Sequence, residues 1–135
     1  MQGGILVVED EPITARIIRQ CLRLSGQNVW VADSITQAEK TAKEKDIKMI
    51  LLDIQLPDGD GRQLLSKFRT QPITSQLPIF VVSSLEGPQV QADCFARGAD
   101  AYFQKPFDPN GHKQQNTCRG CHLTLQTISR FYRHC

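Results

Sequence analysis

Short apolar runs recur along the chain, and polar stretches with helical spacing separate them. Ile5-Leu6-Val7-Val8, Met49-Ile50-Leu51-Leu52 and Ile79-Phe80-Val81-Val82 show no polar alternation, the pattern of strands buried on both faces. Val29-Trp30-Val31 and Ala101-Tyr102-Phe103 are shorter runs of the same kind. Between them the spacing predicts four helices. The first opens at Pro12, carries a stripe of Ile13, Ile17, Cys21 and Leu24, and ends at Gly26. The second opens at Ser34 with Gln37 at capping-box spacing. The third is capped by Asp60 and carries Leu64, Leu65 and Phe68, and the fourth runs from Pro88 to Gly98. Buried strands joined by helical crossovers imply a doubly wound α/β fold, a five-stranded parallel sheet with helices on both faces.

Composition narrows this picture little. The 135 residues suit one domain, and 40% hydrophobic with 22% charged residues is ordinary for a globular protein. The net charge of +2 argues for neither nucleic acid nor membrane, and no segment approaches the roughly 20 apolar residues of a spanning helix. The opening MQGGILVVEDE lacks the basic region of a signal peptide, so the expected compartment is the cytoplasm, with the five cysteines reduced. Charge distribution says more. Residues 1–107 hold 12 basic and 13 acidic side chains, whereas 108–135 hold Lys113, Arg119, Arg130 and Arg133 against Asp108 alone. The basic surplus therefore lies in the tail.

In parallel sheets of this kind the functional site lies beyond the carboxyl ends of the strands. Those ends carry Glu9, Asp10 and Glu11 after the first strand, and Asp53 after the third. Ser83 and Ser84 follow the fourth, and Lys105 the fifth. Clustered carboxylates hold a divalent cation or shift one another's pKa, and oxygen-only ligands favour Mg²⁺. One carboxylate can attack phosphorus to give an acyl phosphate, while a metal, a lysine and a hydroxyl cover the charge on the phosphoryl oxygens. Asp53, a lone acid between Leu52 and Ile54, reads as the nucleophile; adjacent Glu9 and Asp10 read as metal ligands. Asp58-Gly59-Asp60-Gly61 reads as a turn and helix cap, since the later ligands of a calcium loop are missing.

Three segments carry a resemblance: Ile5 to Pro12, Leu51 to Gly61 and Gly98 to Phe107. In order and spacing they are similar to the receiver domains of two-component response regulators, over about residues 4–107. The resemblance implies a flavodoxin-like fold with strand order 2-1-3-4-5. It implies that Asp53 takes a phosphoryl group from a phosphohistidine of a sensor histidine kinase or phosphotransfer protein. It further implies Mg²⁺ held by Asp10, Glu9, Asp53 and the backbone carbonyl of Gln55. Ser83 would be the switch hydroxyl, Lys105 the phosphate-binding lysine and Tyr102 the aromatic that turns inward once Ser83 moves. The Lys105–Pro106 bond would be cis, and Gln55 and Leu85 would occupy the positions that tune dephosphorylation. Such a domain is a phosphoacceptor switch rather than a turnover enzyme. It acts on a downstream protein target or on an output domain that this sequence lacks.

The tail departs from that pattern. Residues 108–116 are polar and helix-poor, and a stripe of Cys121, Leu125, Ile128, Tyr132 and Cys135 follows only later. The expectation is a receiver core over 4–107 and an atypical basic Cys/His tail over 108–135. That tail supplies either a late fifth helix, the surface through which such domains often form homodimers, or a foreign terminus. Cys118-Arg119-Gly120-Cys121-His122 fits a haem-attachment pattern, and with His134 and Cys135 it offers zinc ligands of unusual spacing. The plainer reading is a reduced basic helix with incidental cysteines. Two other function classes compete: a phosphorylation-independent interaction scaffold, and a haloacid dehalogenase-like phosphotransferase. The latter wants a second Asp where this chain has Gln55.

Overall fold

The computed structural model of the chain describes residues 3–24, 26–105 and 116–117. The chain alternates strand and helix: β1 (Gly4–Val8), α1 (Pro12–Leu24), β2 (Val29–Ala32), α2 (Ile35–Glu44) and β3 (Ile47–Leu52). A small hairpin, β4 (Gln55–Leu56) and β5 (Gly59–Asp60), leads into α3 (Gly61–Thr70). Then come β6 (Ile79–Ser83), α4 (Pro88–Ala96), β7 (Ala101–Gln104) and β8 (Asn116–Thr117).

The five principal strands pair in parallel in the order β2-β1-β3-β6-β7, which is the expected 2-1-3-4-5. β8 adds a two-residue antiparallel edge beside β7. Neither β8 nor the β4–β5 hairpin was expected, because two residues are too few to leave a period in the sequence.

Each parallel strand divides its side chains between two cores. Leu6, Val8, Ile50, Leu52, Ile79, Val81 and Tyr102 face Ala38 and Ala42 of α2, Leu64, Leu65 and Phe68 of α3, and Cys94 of α4. Ile5, Val7, Met49, Leu51, Phe80, Val82 and Phe103 face the other way, toward Ile18 and Leu22 of α1. All these strand residues are at least 97% buried, which is why their runs carry no polar alternation.

The caps behave as the sequence predicts. The Ser34 hydroxyl accepts from the Gln37 amide at 3.1 Å, and the Asp60 carboxylate accepts from the Arg62 amide at 2.8 Å.

The first helix corrects the sequence reading. Its buried residues are Ala15, Ile18 and Leu22, not the predicted stripe. Ile13, Ile17 and Leu24 are 68%, 39% and 82% exposed, and Cys21 is half-buried. At 3.6 residues per turn the two rows face different sides of the helix, and of the predicted stripe Cys21 still packs against the core of Ile18 and Leu22. Two rows compete, and the row with the smaller residues seats on the sheet.

The expectations for Pro106, for the Cys118, Cys121, His122, His134 and Cys135 cluster and for a late fifth helix lie outside the described residues. No described helix is long and apolar enough to cross a membrane.

Candidate functional site

The parallel register brings four strand ends together. The Asp53 amide donates to the Val8 carbonyl at 2.9 Å, so the ends of β3 and β1 are level and Asp53 stands beside Glu9 and Asp10. The Lys105 amide donates to the Ser83 carbonyl at 2.7 Å, which levels β7 with β6. The result is an acidic cleft: one carboxylate oxygen from each of Glu9, Asp10 and Asp53 lies within 4.8 Å of the others. Glu9 and Asp53 are buried and Asp10 is exposed at the rim. An all-oxygen set at this separation fits a hard divalent cation such as Mg²⁺.

Lys105 reaches into the cleft from β7. Its ammonium lies 2.7 Å from Glu9 Oε1 and 3.2 Å from Asp53 Oδ2. Burial works against the charged ammonium, but Glu9 and Asp53 outweigh it and hold the Lys105 pKa above its ordinary value. Glu9 is pushed up to about 7, chiefly by burial and further by Asp53, against the opposing pull of Lys105. Glu9 also accepts from the Glu11 amide at 3.1 Å, and Glu11 in turn accepts from the Ile13 amide at 2.8 Å, closing the start of α1. The first strand end therefore joins the cleft to a helix N-terminus.

Two loops frame Asp53. On one side the Gln55 amide donates to Asp53 Oδ1 at 3.3 Å, and Gly61 donates to the Ile54 carbonyl at 2.6 Å. On the other side the buried Ser83 hydroxyl accepts from the Leu85 amide at 3.1 Å. The two loops meet where the Ser84 hydroxyl donates to Gln55 Oε1 at 2.9 Å. Tyr102 is fully buried and donates its hydroxyl to the Leu85 carbonyl at 2.7 Å. The ring lies inward in this structure.

Glu9, Asp10, Asp53 and Lys105 thus converge in the cleft, and Gln55 and Ser83 lie beside it. Sequence reasoning missed three links: the Lys105–Glu9 pair, the Ser84–Gln55 bridge and the part played by Asp58. Asp58 was read as a turn residue, yet its carboxylate receives the first amides of α2. An acid following a proline in a turn marks the turn, but nothing local names a distant helix as its partner.

Comparison with known proteins follows the same line. Residues 5–115 match the family described as response regulator receiver domain. This chain belongs to that family. It is 35% identical over 108 residues to the transcriptional regulatory protein KdpE of Staphylococcus aureus, covering 80% of this chain and 46% of the relative. It is 34% identical over 115 residues to the cell cycle transcriptional regulator CtrA of Caulobacter vibrioides, covering 85% of this chain and 47% of the relative. The receiver chain therefore spans about half the length of the curated relatives it matches. Among solved structures, a putative response regulator from Chloroflexus aurantiacus superposes with a TM-score of 0.76 at 28% identity, over 82% of this chain and 90% of that one. A CheY-like receiver domain protein from Methanospirillum hungatei gives a TM-score of 0.80 at 22% identity, over 99% and 96% of the two chains, and supports the fold.

Proposed function

We propose that this receiver domain accepts a phosphoryl group on Asp53 from a phosphohistidine of a sensor histidine kinase or phosphotransfer protein. The observation that carries the reading is the cleft itself: Glu9, Asp10 and Asp53 converge, and Lys105 bridges two of them. Glu9, Asp10, Asp53 and the carbonyl of Gln55 would hold Mg²⁺. Bound there, the ion would neutralise negative charge on the phosphoryl oxygens and orient them.

The residues of the chain do the rest. An Asp53 carboxylate oxygen bonds to phosphorus as the phosphorus–nitrogen bond breaks, and the electron pair stays on the leaving imidazole. Burial of Asp53 and Glu9 leaves few waters to compete with that attack. Lys105 would move from the Glu9–Asp53 pair onto a phosphoryl oxygen, and Ser83 would release the Leu85 amide to donate to another. The acyl phosphate adds about −1.5 to −2 charges where a carboxylate stood. Because Tyr102 grips the Leu85 carbonyl, a change at Ser83 passes to the segment that starts α4. The domain acts as a switch that presents an altered surface to a downstream protein or an attached output domain, in the cytoplasm and without turnover of an external substrate. No nucleic-acid role is assigned to it.

Intact-mass and peptide mass spectrometry after treatment with acetyl phosphate tests this. The expected result is one phosphoryl group on Asp53 that needs Mg²⁺ and is lost in Asp53→Asn. Phosphate uptake undiminished in that variant would overturn the assignment. Sustained hydrolysis of a small phosphate ester would favour a phosphotransferase instead.

A further inference from the structure

The β4–β5 hairpin has two residues per strand, which gives it little stability of its own. It is nonetheless fixed to an element distant in sequence. Asp58 Oδ1 accepts from the Ile35 amide at 2.8 Å, and Asp58 Oδ2 accepts from the Thr36 amide and the Thr36 hydroxyl, both at 3.1 Å. These two amides are the first two of α2, which the helix cannot satisfy itself. The N-cap Ser34 serves only the third, at Gln37. The division of labour is unusual: the local cap takes one amide, and a carboxylate from the hairpin takes two. Next to Asp58, a Cβ on Gly59 would lie 2.9 Å from Ile35 Cδ1, so the hairpin backbone also rests against the first α2 side chain. The donors around Asp58 hold its carboxyl below the ordinary aspartate value, led by the Ile35 amide.

The other end of the same hairpin is the cleft. Gln55 pairs with Asp60 across the hairpin, and its amide donates to Asp53 Oδ1. From these contacts we propose that Asp58 is a positioning residue for the phosphoacceptor. By clamping the hairpin onto the start of α2 it fixes the Gln55 backbone beside Asp53, and so sets the affinity of the cleft for Mg²⁺ and the rate of phosphoryl uptake at limiting Mg²⁺. The inference rests on the proposed Mg²⁺ site for its first consequence and on the phosphoacceptor reading for its second.

The experiment compares the full chain with Asp58→Ala, Asp58→Asn and Ser34→Ala. Ser34→Ala removes an amide acceptor from the same helix end but leaves the hairpin attached, so it reports a purely structural loss. Two readouts need no phosphodonor: Mg²⁺ titration by calorimetry, and amide hydrogen exchange at Gln55 in metal-free protein. Residues that orient metal ligands typically contribute about 10–100-fold to affinity, and Asp58 acts one step further out, so Asp58→Ala is expected to weaken Mg²⁺ binding about tenfold. Asp58→Asn retains one acceptor oxygen and should lose less. Both should speed exchange at Gln55, whereas Ser34→Ala should leave affinity and Gln55 exchange as in the parent. Uptake from acetyl phosphate should slow at low Mg²⁺ in Asp58→Ala and recover at saturation. An Asp58→Ala protein with the parent's Mg²⁺ affinity and the parent's Gln55 protection overturns the proposal. A parent chain that binds Mg²⁺ yet takes up no phosphoryl group overturns the phosphoacceptor reading and leaves the clamp standing.

Discussion

Helices α3 and α4 follow the neighbouring strands β3 and β6, and they are anchored by different means. α3 starts at a side-chain cap from Asp60 and buries Gly61, Leu64, Leu65 and Phe68. Its far end is tied by Arg69, which donates to the carbonyls of Gly98 and Leu77 at 2.7 and 2.6 Å and pairs with Asp100 at 3.0 Å. α4 starts at Gly87, where φ is +111° and no side chain caps the helix, and it buries Cys94 alone. Val90 and Phe95 are half-buried on the core. Polar ties to α3 add to this: Asp93 pairs with Arg62 at 3.3 Å, and Arg97, itself paired with Asp93 along α4, donates to Ser66 at 3.1 Å. Half-exposed ion pairs of this kind are each worth roughly 0.2–1 kcal/mol, far less than a buried aromatic ring. The two flanks of the cleft therefore differ in stiffness. Asp53 and Gln55 belong to the stiff flank, while Ser83, Ser84 and Leu85 lead into the compliant one. A charge placed on Asp53 finds its adjustable neighbours on the α4 side.

The largest expected effect breaks the comparison most directly. Phe68→Ala should destabilise the fold by about 3–5 kcal/mol, and Val90→Ala by about 1 kcal/mol, in urea unfolding. Equal losses would erase the distinction between the flanks. Next in size is the cap: Asp60→Ala should lose about 1 kcal/mol. This loss should depend on pH, because hydrogen bonding from Arg62 holds the Asp60 carboxyl below its ordinary 3.8. A depressed carboxyl stabilises the fold above its unfolded pKa and loses that stabilisation as pH falls through the folded value. The gap between parent and variant should thus narrow on acidification below about pH 4, in unfolding curves recorded at several pH values. Exposure of Asp60 keeps the pH term small. The smallest effect is the tie across the flanks. A double-mutant cycle on Arg62→Met and Asp93→Ala should give a coupling of about 0.5 kcal/mol. A coupling several times larger would mean that α4 is pinned to α3 after all.

The sheet was legible because burial on both faces removes polar residues from five separate runs. The cleft was legible for a related reason: a parallel sheet gathers its strand ends, so polar residues following those runs must meet. Helix α1 was not legible, because it carries two apolar rows. Ile13, Ile17 and Leu24 look more hydrophobic than Ala15, Ile18 and Leu22, and only the neighbouring sheet decides between them. The links of Lys105 to Glu9, Ser84 to Gln55 and Asp58 to α2 stayed hidden because each depends on a side-chain direction between elements far apart in sequence. A residue type at a strand end suggests what it can touch, not which of several carboxylates it chooses.

Gly61 gives the stiff flank a mechanical meaning. A Cβ at this position would fall 2.1 Å from the Asp53 carbonyl oxygen and 2.9 Å from Ile54 Cα, so backbone meets backbone with nothing soft between. Side chains absorb small displacements by turning about their bonds; a bare backbone contact has no such cushion. Asp53 is thus set against an abutment. The Asp53 main chain therefore has no room to shift toward the start of α3 without backbone striking backbone.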